Sequence, residues 1–313
     1  MGNDHDSRAA LGGNGYEAKF ASVFVGGVMI TLPDLAAEGL GSHLAKHMSR
    51  RFGSTDAALI DLVQSAARLA IECIGNSDAL YHNAEHTMLV TLVGYDILRG
   101  RRLSTETTAS DFAHLILACL FHDIGYVRGI LSGDNADGCI ADAQGNKVKL
   151  PRGSSDAALL PYHVDRSKLF VMERLAKNKS LDATRIANAI EFTRFPPSQG
   201  SDDWEGMVVS AADLIGQLGD PHYLRKVNAL FHEFEEFGMN TQLGYNSPAD
   251  LIDKYPKFYS SSVATHIQSA IPYLEVTSSG QQWIANLYSN VFRAEHLILG
   301  YPWATRQESP PNC

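Results

Sequence analysis

The sequence predicts an all-α fold. From Asp34 onward, successive segments carry apolar residues three and four positions apart, and the period-two alternation of strands is scarce. Ahead of them, residues 1–16 are polar and Gly-rich and read as a mobile leader. The apolar stretch 20–32 is rich in β-branched residues and fits either a strand or a buried helix. The helical pattern then covers 57–74, 83–99, 110–123, 155–177, 182–193, 204–218, 221–237, 248–254, 260–275 and 280–299. One domain over 17–303 accounts for these segments, and the tail from 304 to 313 has the composition of a disordered end.

Between 128 and 155 the chain turns polar and Gly-rich (SGDNADGCIADAQGNKVKLPRGSS), which predicts a long loop with a small hairpin around Gln144, Gly145 and Asn146. It is expected to be either a rim or lid of a functional site or a tolerated surface insertion.

Bulk composition narrows the function without naming it. A net charge of -9 opposes broad attraction to nucleic-acid backbones or anionic lipid. A small anionic substrate stays open, because a bound cation reverses the potential of one pocket. Cys73, Cys119, Cys139 and Cys313 form no C-x-x-C pair, so neither a zinc knuckle nor a disulfide framework is expected, and a reducing cytoplasm is the simplest compartment. No secretory signal or membrane span is expected, and a homo-oligomer is left open.

Three elements carry chemistry. In YHNAEHTMLV, His82 and His86 stand four residues apart at a helix start. Leu89, Val90, Val93 and Ile97 continue the phase of His86, turning it toward the core. His43 and His47 share that spacing among basic neighbours, where a solvated helix is the expectation. Second, the apolar run FAHLILACLFHDIGY ends in His122 and Asp123. Asp123 extends the face of Phe112, Ile116, Cys119 and Leu120, where an unpaired carboxylate is costly, and Gly125 is expected to close the helix. Third, MVVSAADLIG holds a lone charge, Asp213. Two imidazoles and two carboxylates suit zinc, manganese, iron or magnesium better than a soft-metal thiolate site.

The order H…HD…D resembles the HD superfamily of metal-dependent phosphohydrolases, and YHNAEHTMLV is similar to the signature of class I cyclic-nucleotide phosphodiesterases. SDAALLPYHVDRSKLF (155–170) and ADLIGQLGDPHYLRKVNALFHEFEEFG (212–238) extend the likeness over roughly 78–238. The resemblance implies a multi-helix bundle around one or two divalent ions. His86, His122, Asp123 and Asp213 would be the ligands, Asp123 would bridge to a second ion, and His82 would be the general acid. It implies hydrolysis of a small phosphorylated substrate, a cyclic nucleotide or related nucleotide, by metal-activated water. Asn83 is expected to shape the helix entry or support the ligands.

The chain departs from that pattern in two places. Those phosphodiesterases follow HD with an acidic residue and a further His, where this chain has Ile124, Gly125 and Tyr126. Their Glu-Asn-His-His is replaced by Phe170, Val171, Met172 and Glu173. His163, Asp165 and Glu191 are the candidate substitutes at a second metal, with structural hydrogen bonding as the alternative for each. The family's purine-clamping glutamine has no match, since Gln268, Gln281 and Gln282 lie outside the alignable blocks. His114 is expected to be a satisfied core histidine. Trp283, Tyr288, Phe292 and Tyr301 are expected to be core, or else an apolar wall for a base. Two other functions share the frame: an HD-type di-iron oxygenase and a non-catalytic nucleotide-binding regulator.

Overall fold

A helix that is apolar on every side belongs at the centre of a structure, and the segment before His122 is such a helix. The computed structural model describes residues 30–53, 56–194 and 203–298. Its elements run α1 (Leu32–Phe52), α2 (Ala57–Ile74), α3 (Ala84–Arg101), α4 (Ala109–Phe121), β1 (Cys139–Ile140), β2 (Lys147–Val148), α5 (His163–Leu175) and α6 (Ala183–Glu191). They continue as α7 (Trp204–Leu218), α8 (Tyr223–Glu236), α9 (Met239–Leu243), α10 (Pro248–Phe258), α11 (Ala264–Ile267), α12 (Ile271–Glu275) and α13 (Ser278–Ile298). The all-α class is as expected: β1 and β2 form the only sheet among the described residues, paired antiparallel with Cys139 opposite Val148. No described helix is long and apolar enough to cross a membrane.

Every residue of α4 from Phe112 to Phe121 is buried. A capping box starts the helix: Thr108 accepts from the Asp111 N–H, and Asp111 accepts from the Thr108 N–H, each at 3.1 Å. Helices α2, α3, α6 and α7 pack around it, and α3 packs most extensively on α7. At that contact a Cβ on Gly216 would come within 2.9 Å of the Val90 backbone, so glycine lets α3 and α7 approach closely. The site residues of α3 and α7 are thereby drawn to the C-terminal end of α4.

The 128–155 segment contains the expected hairpin. Asp142 accepts from the Gln144 and Asn146 N–H groups at 3.0 and 3.1 Å, and Gly145 takes φ +80° in the turn. The segment is stapled down from beneath. Arg166 on α5, fully buried, donates to the Gly125, Val127 and Ile140 carbonyls at 2.6, 2.9 and 2.5 Å and forks onto Asp134 at 3.1 and 2.9 Å. Arg128 pairs with Asp156 and Asp78, and Glu173 accepts two hydrogen bonds from Ser132.

Several boundaries differ from the sequence expectation, each for a local reason. Helix α4 stops at Phe121, so Asp123 lies in the turn beyond it (φ -107°, ψ 3°) and not on a helix face. Gly125 is not a left-handed cap. It sits in a 3-10 turn, Ile124–Tyr126, where a Cβ would fall 2.0 Å from the His163 carbonyl oxygen. The helix expected over 155–177 begins at His163. Pro161 interrupts the pattern, and Asp156–Leu159 form a separate 3-10 turn capped by Ser155. The 248–254 helix extends to Phe258 through Pro256, and the 260–275 helix is broken by a π turn at Tyr259–Val263 into α11 and α12.

Some side chains differ as well. His47 is not solvated: it accepts or donates one hydrogen bond with the Tyr95 hydroxyl at 2.8 Å and stacks on Phe112. Tyr288 and Phe292 are exposed, not core. His114 is the satisfied core histidine expected, bonded to the Ser110 carbonyl at 2.6 Å and the Asp182 N–H at 2.8 Å. The leader 1–16, most of 20–32, Tyr301, Cys313 and the tail lie outside the described residues.

Replacing Arg166 by Met strips Asp134 of its buried partner. Chemical denaturation is expected to show a loss of about 3–5 kcal/mol. A loss below about 1 kcal/mol would mean that the fork does not anchor the loop.

Candidate metal centre

Four side chains converge where α3, α7 and the end of α4 meet. Asn83 sets the first of them: its carboxamide oxygen accepts from the Glu85 and His86 N–H groups at 2.9 and 3.3 Å, starting α3 so that His86 faces inward. His86 Nε2 then lies 3.2 Å from Asp213 Oδ1 on α7 and 3.4 Å from Asp123 Oδ2. His122 Nε2 lies 3.1 Å from Asp123 Oδ2 and 3.6 Å from Asp213 Oδ1. His122 is oriented by its other nitrogen: Nδ1 bonds the Cys119 carbonyl at 2.8 Å, which leaves the Nε2 lone pair toward the cluster.

The donor set fits a cation. His86 Nε2, His122 Nε2 and Asp123 Oδ2 are buried and have no hydrogen-bond partner, a cost normally avoided in protein interiors. Ligands roughly 2.0–2.1 Å from a shared ion sit roughly 3–3.5 Å from one another, which is the spacing seen here. His86, His122 and Asp213 form the tight group, their ligand atoms all within 4.8 Å, and could hold a metal ion. Asp123 flanks that group against both imidazoles. Asp213 is the partly open side, with a side chain 25% exposed against 0–5% for the other three.

Charge is strongly coupled here. Burial disfavours both charged forms, but Asp123 and Asp213 together raise the proton affinity of His122 well above the ordinary imidazole value. Asp123 itself, opposed by burial but favoured by His122 and His86, falls well below the carboxylate range. Asp213 is lowered against burial by the nearness of the same two imidazoles, His122 first.

His82 is close to this group but outside it, its ring 5.5 Å from that of His86. Its Nδ1 meets Glu233 Oε2 at 2.5 Å, while Glu233 Oε1 accepts the Tyr81 and His82 N–H groups at 2.6 and 3.1 Å. Burial works against the imidazolium, but the charge and hydrogen bond of Glu233, with Asp123 and Asp213 behind it, raise His82 to about 9. Glu233 is the residue that sequence reasoning missed. The available signal was its phase, since it shares the buried face of α8 with Tyr223, Val227 and Leu230.

His163 joins from the other side. Its Nδ1 bonds the Leu160 carbonyl at 2.5 Å, and its Nε2 faces Asp123 Oδ1 at 3.8 Å. Burial, only partly countered by Asp123, holds it toward the neutral form. Tyr126 lies between the two outer histidines, stacked on His82 at 4.7 Å and on His163 at 4.5 Å, each at 16°. Glu191 and Asp165 are not in the cluster. Glu191 is held by Arg194 and Lys168, which lower it to about 2, and Asp165 pairs with Arg194 at 2.9 Å. Gln281 and Gln282 bond the Glu275 carbonyl and Asn286.

Residues 32–297 match a protein-family model described as Npun_R2479-like, and the chain belongs to the Npun_R2479-like family. No curated protein and no solved structure matches the chain.

Elemental analysis of purified protein is expected to find a divalent metal that falls at least tenfold in both His122→Ala and Asp213→Asn. Because protons compete for His122, affinity should weaken as pH falls and strengthen as it rises. Unchanged metal content in both variants would refute the centre.

Proposed function

We propose that the chain is a metal-dependent phosphohydrolase whose substrate is a phosphoester of the nucleotide class, with a cyclic nucleotide phosphodiester foremost. The observation that carries this reading is His82: a histidine held protonated by a buried carboxylate, placed beside a cation-fitting cluster but not within it. A protein that only bound a ligand would have no use for a dedicated proton donor at that point. The resemblance of the H…HD…D order and the YHN block to phosphodiesterases supports the same chemistry.

The residues divide the work. His86, His122 and Asp213, with Asp123 as fourth ligand, would hold the ion. The chemistry that a bound divalent ion supplies is Lewis acidity toward the phosphoryl group and activation of water at neutral pH. His82 has Nδ1 committed to Glu233, so Nε2 is the donor toward the leaving alkoxide. Glu233 keeps that ring charged and aimed, and the Tyr126 ring holds its plane. The partly exposed edge of Asp213 marks the side from which the substrate reaches the cluster.

A second ion would find Asp123 Oδ1 and His163 Nε2; the other histidines near that pair are engaged elsewhere, His82 with Glu233 and His86 and His122 with the first cluster. The di-iron oxygenase reading requires more imidazoles there, so hydrolysis is the better supported chemistry.

Cyclic and linear nucleotides screened with manganese, magnesium and zinc should give metal-dependent release of a nucleoside monophosphate or phosphate. His82→Ala should keep its metal and lose about 10²–10⁴-fold in kcat. Glu233→Gln should move the high-pH limb of kcat to lower pH, because removing the carboxylate lowers the proton affinity of His82. Full turnover in His82→Ala, or none in the wild type with any of these metals and substrates, would sink the proposal.

A further inference from the structure

A cavity of about 470 Å³ lies between α3 and α13, with Leu89, Leu92, Tyr95 and Trp283 among its walls and His43 and Arg99 at its margin. None of the metal-centre residues lines it. Its volume is in the range of small-molecule sites, which are largely apolar with a few polar groups.

Positive charge gathers at one side of this cavity, in a chain whose net charge is -9. The sequence blocks HLAKHMSRR on α1 and LRGRR at the end of α3 meet around one aromatic ring. His47 and His43 lie 4.7 and 5.1 Å from the Tyr95 ring, and the Arg99 guanidinium stands 5.5 Å over it. Among the residues that line the cavity, Asp96 is the one carboxylate. Its oxygens are already occupied by Arg99 at 3.1 Å, Ser279 at 2.6 Å and Trp283 Nε1 at 3.0 Å.

Arg102 Nε and His47 Nε2 are buried without a hydrogen-bond partner. Burial, then Arg51 and Arg99, lower the proton affinity of Arg102, and burial, then Arg102, Arg99, His43 and Arg51, push His47 down to about 4. Attraction to helix C-termini accounts for basic residues in the last turns of α1 and α3. It does not account for two such ends converging on one ring beside an apolar cavity, an arrangement that a bound anion would stabilise.

We propose that this cavity is a second ligand site, separate from the metal centre, for a small aromatic anion. Its ring would lie against Leu89, Leu92 and Trp283, and its phosphate, sulfonate or carboxylate would be held by His43 and Arg99, the basic side chains that line the cavity, with the charge of Arg102 near Arg99 and Tyr95. The site needs neither the metal nor His82, so it stands or falls independently of the hydrolase reading.

The test uses naphthalene-1-sulfonate, which is not hydrolysed by a phosphohydrolase, titrated calorimetrically into the full chain after EDTA treatment. Saturable binding with Kd below about 1 mM is expected, with 1-naphthol and inorganic sulfate each at least tenfold weaker. The double variant His43→Ala/Arg99→Gln should weaken the sulfonate at least tenfold while leaving 1-naphthol unchanged. Leu92→Trp, which fills the cavity, should weaken both. Circular dichroism confirms that each variant is folded before titration. Equal affinity for sulfonate and naphthol, unaltered sulfonate binding in both variants, or no saturable binding would overturn the proposal.

Discussion

The organisation of this protein follows from one electrostatic constraint: Asp123 is a carboxylate buried at the end of its most apolar helix. A charge in that position is tolerable only if opposite charge and hydrogen-bonding capacity surround it. His86 and His122 face one carboxylate oxygen, and His163 faces the other. Three separate helices must hold their register for those rings to arrive. The tight α3–α7 approach at Gly216, the Asn83 cap and the Cys119 carbonyl bond to His122 are the local devices that hold it.

A second buried ionic system supports the first from outside. Arg166 spends its whole guanidinium on the turn after Asp123 and on Asp134 of the loop beyond, so the 3-10 turn that carries Tyr126 is fixed from below. The loop that follows the motif is therefore tied to α5 at several points, and the hairpin at its far end projects from an anchored base. The two networks meet at α5: His163 opens that helix toward the candidate metal site, and Arg166 lies one turn further along.

The helical class and the four clustered residues were legible because each rests on local pattern: apolar phase, a lone charge in an apolar run, a histidine at a helix start. What was not legible depends on distance in the chain. Glu233 lies 151 residues from His82, and only its phase within α8 hinted that it turns inward. Arg166 reads locally as one more charge on an amphipathic helix, although its partners at 125–140 make it fully buried. Glu191 was a candidate ligand by sequence, yet Lys168, 23 residues away, and Arg194, three residues on, satisfy it. The end of α4 was misjudged for a similar reason. Helical phase was carried through Asp123, whereas the turn there is set by contact with α5.

Gly125 makes the turn after Asp123 dependent on the backbone of α5. That backbone occupies the volume that a side chain at this position would fill, with the His163 carbonyl 2.0 Å from where a Cβ would be. Any side chain placed there would collide with a main chain, not with a side chain able to rotate away. The glycine is in that sense a latch: a larger residue at 125 can be admitted only by moving an entire helix, and His163 at the head of that helix would move with it.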